Sequence, residues 1–339
     1  MVSQVAVIVI NYNGGPCIRR CLEAVSAQTL RPLEVLVYDN GSTDGSLALA
    51  RESTPGAEIV SLGTNLGFAG AANKAIRQTK APYILLLNPD AYLTPTYIEA
   101  VYAAAEADRR IGSVSGKLLR VSEGSMERVI DSTGHVLFRN RWVLNRGEEE
   151  VDCGQYEEPC EVFGVCAAAA LYRREMLEDV KVGEEEYLDE TFFAYLEDVD
   201  LDWRARLRGW KAYYVPGAVA YHERGHKGKR RMRNPFVLRH SLKNRYLMML
   251  RNDRLADVVR DLPSILGMEV LRFFDYLFTQ PKALRGYLDL LALLPHVLRE
   301  RKEIQGRRTV PPSYIRGWLH RYPYRRKLRE KFLGNLPGI

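Results

Sequence analysis

The chain has 339 residues, enough for one large core plus an appendage. Its composition, 46% hydrophobic and 27% charged, excludes a disordered or collagen-like protein. The net charge of +7 is unevenly placed: about 27 of the 49 Lys and Arg follow Glu223, against about 9 of the 42 acidic residues, so the tail is strongly basic and the rest acidic.

The first hundred residues alternate short apolar runs with helical patterns. Val5 to Ile10 reads as a β-branched strand, Pro16 to Gln28 as a helix, Leu33 to Tyr38 as a strand and Gly45 to Glu52 as a helix. Glu58 to Leu62, Ala69 to Gln78 and Tyr83 to Leu87 then continue as strand, helix and strand. This series predicts an α/β protein with a parallel sheet flanked by helices. Ligands of such sheets bind at the carboxyl ends of the strands. The residues there are Asn11-Tyr12-Asn13, Asp39 to Asp44, Asn65 to Phe68 and Asn88-Pro89-Asp90.

Gly112 to Ala170 is less regular, with short strands around Val114, Val129 and Val136 and a polar, acidic loop at Arg146 to Glu161. A helix is expected near Arg173 to Val180. Beyond Glu223 a Gly/Lys/Arg-rich loop precedes helices expected to be punctuated by Pro263, Pro281, Pro295, Pro311 and Pro312.

Cys17, Cys21, Cys153, Cys160 and Cys166 are odd in number, have no paired C-x-x-C spacing and follow no signal-peptide pattern, which points to the cytoplasm. Cys17 and Cys21, four apart on a helix, are expected to pack rather than bind metal. No window reaches the roughly 18 uninterrupted apolar residues of a spanning helix; Ile265 to Thr279 is broken by Glu269, Arg272 and Asp275.

Three groups carry candidate chemistry. Asp39 closes a strand where a carboxylate can accept from the N3–H of uracil or thymine, while the following Gly-Ser-Thr-Asp caps the next helix. Asn88-Pro89-Asp90 places two oxygen-bearing side chains one residue apart after an apolar strand, a spacing suited to Mg²⁺ or Mn²⁺, although Asn-Pro-Asp is also a common turn. Glu197, Asp198, Asp200 and Asp202 concentrate four carboxylates in six positions. A dipole-stabilised, solvated helix face suits Asp202 and to a degree Glu197, whereas the aromatic and apolar neighbours of Asp198 favour a general base. His222 follows an apolar run and alone is more often structural than a metal ligand.

Together, Val9 to Asn13, Asp39 to Ser46, Asn65 to Ala69 with Asn73, Leu87 to Asp90, and Phe192 to Leu201 with Trp203-Arg204 resemble glycosyltransferase family 2, closest to its rhamnosyltransferase-like branch. The resemblance spans roughly Val5 to His226. It implies a GT-A fold, a Rossmann-like mixed sheet flanked by helices, over residues 1–226, with about 1–110 binding nucleotide and 111–226 facing the acceptor. Residues 227–339 would form a basic helical extension.

The implied activity is a metal-dependent, inverting transfer from a nucleotide diphosphate donor, dTDP-rhamnose or a UDP-sugar, to a saccharide or lipid-linked acceptor in cell-surface polysaccharide synthesis. Asp198 maps onto the general base, with Glu197 as its acidic neighbour. Asn11, Asn13, Asp39, Asn65, Gly67, Asn73 and Asn88 make the expected nucleotide-sugar-binding set, and Asp90 with His222 the expected ligands of Mg²⁺ or Mn²⁺. Gly183-Glu184-Glu185-Glu186 departs from the family's Gly-Gly-Phe pattern, while Asp189 and Glu190 keep its acidic frame.

The basic clusters Lys227 to Arg233, Arg299 to Lys302 and Arg325 to Lys331, beside apolar helices at Leu271 to Phe278 and Tyr287 to Leu298, suit an anionic membrane surface, namely the inner face of the cell membrane. Packing on the core or on a second copy is the other reading, and Lys227 to Arg233 also suits a lid over the donor diphosphate. The aromatics do not interleave with the basic residues as a nucleic-acid platform requires. A catalytically inactive nucleotide-sugar binder or membrane scaffold is the competing, non-enzymatic function.

Overall fold

A computed structural model describes residues 3–54, 56–122, 125–223 and 234–323. The basic clusters at Lys227 to Arg233 and Arg325 to Lys331, and with them the lid reading, lie outside the described residues.

The series begins with β1 (Val5–Asn11), α1 (Cys17–Ser26), β2 (Glu34–Asp39), α2 (Ser46–Ser53), β3 (Glu58–Ser61), α3 (Gly67–Gln78) and β4 (Tyr83–Leu87). Next come β5 (Ala91–Leu93), α4 (Tyr97–Ala107), β6 (Ile111–Ser122), β7 (Ser125–Ser132), β8 (His135–Phe138), β9 (Val143–Asn145) and β10 (Cys160–Val162). Then follow β11 (Ala169–Arg173), α5 (Arg174–Val180), a 3₁₀ turn at Glu190–Phe192, α6 (Glu197–Leu207) and β12 (Lys211–His222). The tail comprises α7 (Pro235–Asn252), α8 (Leu255–Thr279), a 3₁₀ turn at Pro281–Leu284, α9 (Arg285–Gly306), α10 (Pro312–Gly317) and β13 (Leu319–His320).

The main sheet runs β10-β12-β6-β11-β4-β1-β2-β3, with β5 beside β12 and β7 beside β6. It is mixed rather than purely parallel, because β11 enters antiparallel between β4 and β6. The unbroken apolar runs of β1 and β4 follow from burial on both faces. Val5, Val7, Val9, Leu85 and Leu87 join the core containing α1 and α4, while Ile8, Ile10, Ile84 and Leu86 join the one containing α3 and α5. Cys17 and Cys21 are buried in the first of these, as packing requires.

A third core joins β8 and α6 to α7, α9 and α10 through Leu137, Trp203, Leu247, Val297 and Ile315. The tail therefore packs on the sheet domain. Pro311 and Pro312 introduce α10 and Pro281 opens a 3₁₀ turn, as expected, but Pro263 and Pro295 lie inside α8 and α9. Each removes one N–H from its helix. The buried contacts on either side, Asp261 and Ile265 in α8 and Val297 in α9, carry the helix past it.

Candidate active site

Register brings the predicted strand ends to one edge: Asn11 pairs with Asp39, Asp39 with Ser61, and Val9 with Leu87. The Asn11 amide Nδ2 donates to Asp39 Oδ1 at 2.8 Å, and the Ser42 N–H donates to Asp39 Oδ2 at 3.1 Å. Asp39 is buried, and each oxygen keeps a lone pair for a further donor. Asn13, in the left-handed region at φ 51°, accepts from the Thr43 N–H at 2.8 Å. Asp44 accepts from the Ser46 N–H at 3.0 Å at the start of α2, so the carboxylate beside the helix start is Asp44 and not Asp39.

Gly14 lies against this edge. A Cβ there would stand 2.5 Å from Asn11 Oδ1 and 3.1 Å from Pro89 Cβ, so only glycine lets the loop after β1 rest on the Asn88-Pro89-Asp90 turn.

Asn65 and Asn73 are placed differently from the rest of the expected nucleotide set. Asn65 Oδ1 accepts from Asn40 Nδ2 and from the Gly67 N–H, shaping the turn into α3. Asn73 is wholly buried; its Oδ1 accepts from the Tyr187 and Leu188 N–H groups, and its Nδ2 donates to Leu188 O and Glu190 Oε1. It ties α3 to the acidic 183–190 segment, a positioning role. Gly67, at φ +76°, has no room for a Cβ, which would meet Phe193 O at 2.3 Å.

Asp90 and His222 are brought together by the pairing of β5 with β12. His222 Nε2 stands 3.3 Å from Asp90 Oδ1, close to the roughly 3 Å between neighbouring donors on one octahedral cation of this size. On the ring's other side, Nδ1 is 2.9 Å from Oδ2 of the fully buried Asp131. That bond orients the ring and leaves Nε2 toward Asp90, the carboxylate–histidine arrangement common behind metal ligands. Burial pulls the His222 pKa down, but Asp90 and Asp131 outweigh it and hold it at about 9. The oxygen and nitrogen donors fit a hard or borderline divalent cation.

The loop before α6 is strained. Phe193, Tyr195 and Leu196 all have positive φ, at 64°, 76° and 66°. Phe193 forms a γ-turn, closed by the Ala194 N–H donating to Phe192 O at 2.8 Å. Such conformations cost about 1–3 kcal/mol each and persist only where the surroundings hold them. Here α7 does so. Asn244 Nδ2 lies 2.7–3.0 Å from the carbonyls of Phe192, Ala194 and Tyr195, Lys243 donates to Thr191 O, and His240 stacks on Phe193. Arg251 bridges Asp189, Asp200 and Glu300. Replacing Asn244 by Ala leaves these carbonyls short of a donor and is expected to cost about 2 kcal/mol, measurable by denaturant titration.

The loop delivers the four carboxylates of α6 to different places. Asp202 and Glu197 are buried, a correction to the solvated face expected of them, because α6 is covered on all sides by the sheet and by α7. Asp202 accepts from Ser113 Oγ at 2.9 Å and the Val165 N–H at 2.7 Å, and burial raises its pKa to about 8. Burial and the adjacent Asp198 raise Glu197 well above the ordinary carboxylate range. Asp200 pairs with Arg204 at 2.9 Å. Asp198 is the most open, its side chain 15% exposed, and accepts from the Ala167 N–H at 3.1 Å.

Two short segments join this carboxylate to the Asp90 side. In the first, Ala168 O accepts from the Asn88 N–H at 2.9 Å one residue from the Ala167 contact with Asp198. In the second, Asp131 faces His222 while His135 Nε2 stands 3.7 Å from Asp198 Oδ2. Asp131, His135 and Cys166, which groups with His135 and Asp198, were not singled out from sequence. The run Asp131-Ser132-Thr133-Gly134-His135 was the available signal: a tight turn flanked by an acid and a histidine.

Residues 6–181 match the family model described as Glycosyl transferase family 2. An N-acetylglucosaminyl-diphospho-decaprenol L-rhamnosyltransferase from Mycobacterium tuberculosis is 31% identical over 249 residues, covering 67% of this chain and 78% of that protein. The chain belongs to glycosyltransferase family 2. Two solved structures share its fold. TarS 1-349 of S. aureus superposes with a TM-score of 0.54 at 18% identity, covering 93% of this chain and 92% of that one. The mannosyltransferase PcManGT from Pyrobaculum calidifontis, in complex with GDP-Man and Mn²⁺, gives 0.52 at 17% identity, covering 97% and 87%. The fold is therefore GT-A, and this family 2 member is a rhamnosyltransferase-like glycosyltransferase.

Proposed function

We propose that this enzyme transfers a sugar with inversion, in a reaction dependent on Mg²⁺ or Mn²⁺, from a nucleotide diphosphate donor to a saccharide carried on a polyprenyl diphosphate. The observation that carries the reading is the division of the site into an Asp90–His222 pair backed by Asp131 and, across residues 166–168, the solvent-reaching Asp198. Asp198 takes the proton of the acceptor hydroxyl as that oxygen bonds to the anomeric carbon and the bond to the diphosphate breaks. Asp90 and His222 would hold the divalent cation, which would supply positive charge beside the departing diphosphate. One displacement inverts the anomeric configuration.

Asp39, Asn11 and Asn13 read the base, and Asn88 and Gly67 border the donor. The name of the 31% identical relative supports L-rhamnose as the sugar and a lipid-linked acceptor; dTDP-L-rhamnose is the expected donor ahead of a UDP-sugar, and cell-surface polysaccharide synthesis the expected setting. Such an acceptor fits a peripheral enzyme at the inner face of the cell membrane; none of the described helices is long and apolar enough to cross.

A thermal-shift screen of nucleotide sugars with either cation tests this. A ligand at about 100 times its Kd adds about 2.7 kcal/mol, a rise of roughly 4 °C for a chain of 339 residues. dTDP-rhamnose with Mn²⁺ or Mg²⁺ is expected to give the largest rise, and NMR of the product to show an inverted anomeric centre. A larger rise with a UDP-sugar would replace the donor; retention of configuration would remove the single displacement.

A further inference from the structure

The polarity of α8 is inverted relative to an ordinary surface helix. Most of its charged residues face the protein, Arg260 and Asp275 being exposed. Asp261 pairs with Arg141 at 2.8 Å and Arg316 at 3.2 Å, Glu269 with Arg245 and Tyr246, and Arg272 lies 4.8 Å from the Trp142 ring centroid. Ile265 and Met268 are buried, but a stripe of apolar residues faces outward: Leu262, Leu266, Val270, Phe273, Phe274 and Leu277 are each 40–54% exposed. At 100° per residue these six fall within an arc of about 120°. A soluble surface seldom leaves so large a contiguous apolar patch uncovered.

Both ends of the stripe are basic. Arg254 and Arg260 are exposed at its start, Lys282 and Arg285 just beyond its end, and Asp275 is the exposed acid between. This pattern selects the occupant. A second copy docked through the same stripe, parallel or antiparallel, sets cation against cation at both ends. An anionic lipid surface meets both ends favourably. We propose that α8 is the membrane-docking element, lying in the plane of the interface with its apolar stripe among the acyl chains and its basic ends on anionic headgroups. The proposal rests on the reading of this enzyme as one that works at a membrane, and names the element that holds it there.

The test is co-sedimentation of the full chain with phosphatidylcholine vesicles, with and without phosphatidylglycerol. Wild type is expected to sediment with the anionic vesicles. Leu266→Glu with Phe274→Glu, both at exposed positions, should lower the bound fraction at least tenfold with an unchanged melting temperature. Lys282→Glu with Arg285→Glu should weaken binding to the anionic vesicles and not to the neutral ones. Equal binding by wild type and the Leu266/Phe274 variant, or none by wild type, would overturn the assignment. So would a lipid-free dimer, seen by sedimentation velocity, that this variant dissociates. Stabilisation by nucleotide sugar is measured on the same preparations: a protein that binds donor but not vesicles fails this proposal alone, and one that binds vesicles but no donor fails the functional reading alone.

Discussion

Asp198→Asn is expected to slow transfer by about 10²- to 10⁴-fold, the range over which a positioned general base acts, while nucleotide-sugar binding stays within twofold of wild type. The geometry predicts this separation. Asp198 reaches solvent at one side and is held on the other by the Ala167 and Val199 N–H groups, whereas the residues proposed to bind the donor lie on β1, β2 and the turn after β4. An amide accepts through one atom only, so one of the two N–H bonds weakens, at a cost of about 1 kcal/mol. That loss is too small to unfold the enzyme, and a melting curve checks it. Transfer at the wild-type rate would remove Asp198 as base; loss of donor binding with it would mean the residue shapes the donor site.

The second large effect is at Asp90. Asp90→Ala removes the only carboxylate that faces His222 Nε2 among the described contacts, leaving the ring held by Asp131. The affinity for a nucleoside diphosphate in the presence of Mn²⁺, measured by calorimetry, is expected to fall about 100-fold, toward the value without cation. Asp131→Asn keeps an acceptor for Nδ1–H but loses the charge behind the ring, and is expected to cost roughly 10-fold, at the low end of the range for groups behind a metal ligand. The ordering matters: an Asp131 effect without an Asp90 effect would place the cation elsewhere. Unchanged affinity in Asp90→Ala with Mn²⁺ present would take this carboxylate out of cation binding.

The elements legible in the sequence were those whose burial is symmetric. Val5–Asn11 and Tyr83–Leu87 are covered on both faces, so Val5 to Ile10 and Tyr83 to Leu87 are unbroken apolar runs that name themselves. Asp39, Asn88 and Asp90 follow such runs, which is why their place at one edge could be read from chain order. The antiparallel β11 could not be, because Ala169–Arg173 is as apolar as a parallel strand. Burial of the α6 carboxylates was hidden for a different reason. Four acids in six positions look like a solvated face unless their partners are known, and those partners come from far along the chain: Arg251, Asn252 and Glu300 near Asp200, and Ser113 on Asp202. Asp131 gave no signal alone, because its meaning depends on His222, 91 residues later.

The amide of Asn244 has a consequence for how such enzymes can be recombined. Because it reads three carbonyls of the loop that delivers Asp198, the proposed base, that proposal makes the carboxyl-terminal helices part of the catalytic geometry and not only cargo behind it. A chimera joined at the end of β12 would present a foreign α7 to this loop and inherit the mismatch as a misaimed base. A seam placed after Asn252 would exchange the outer helices and keep the loop with its own support.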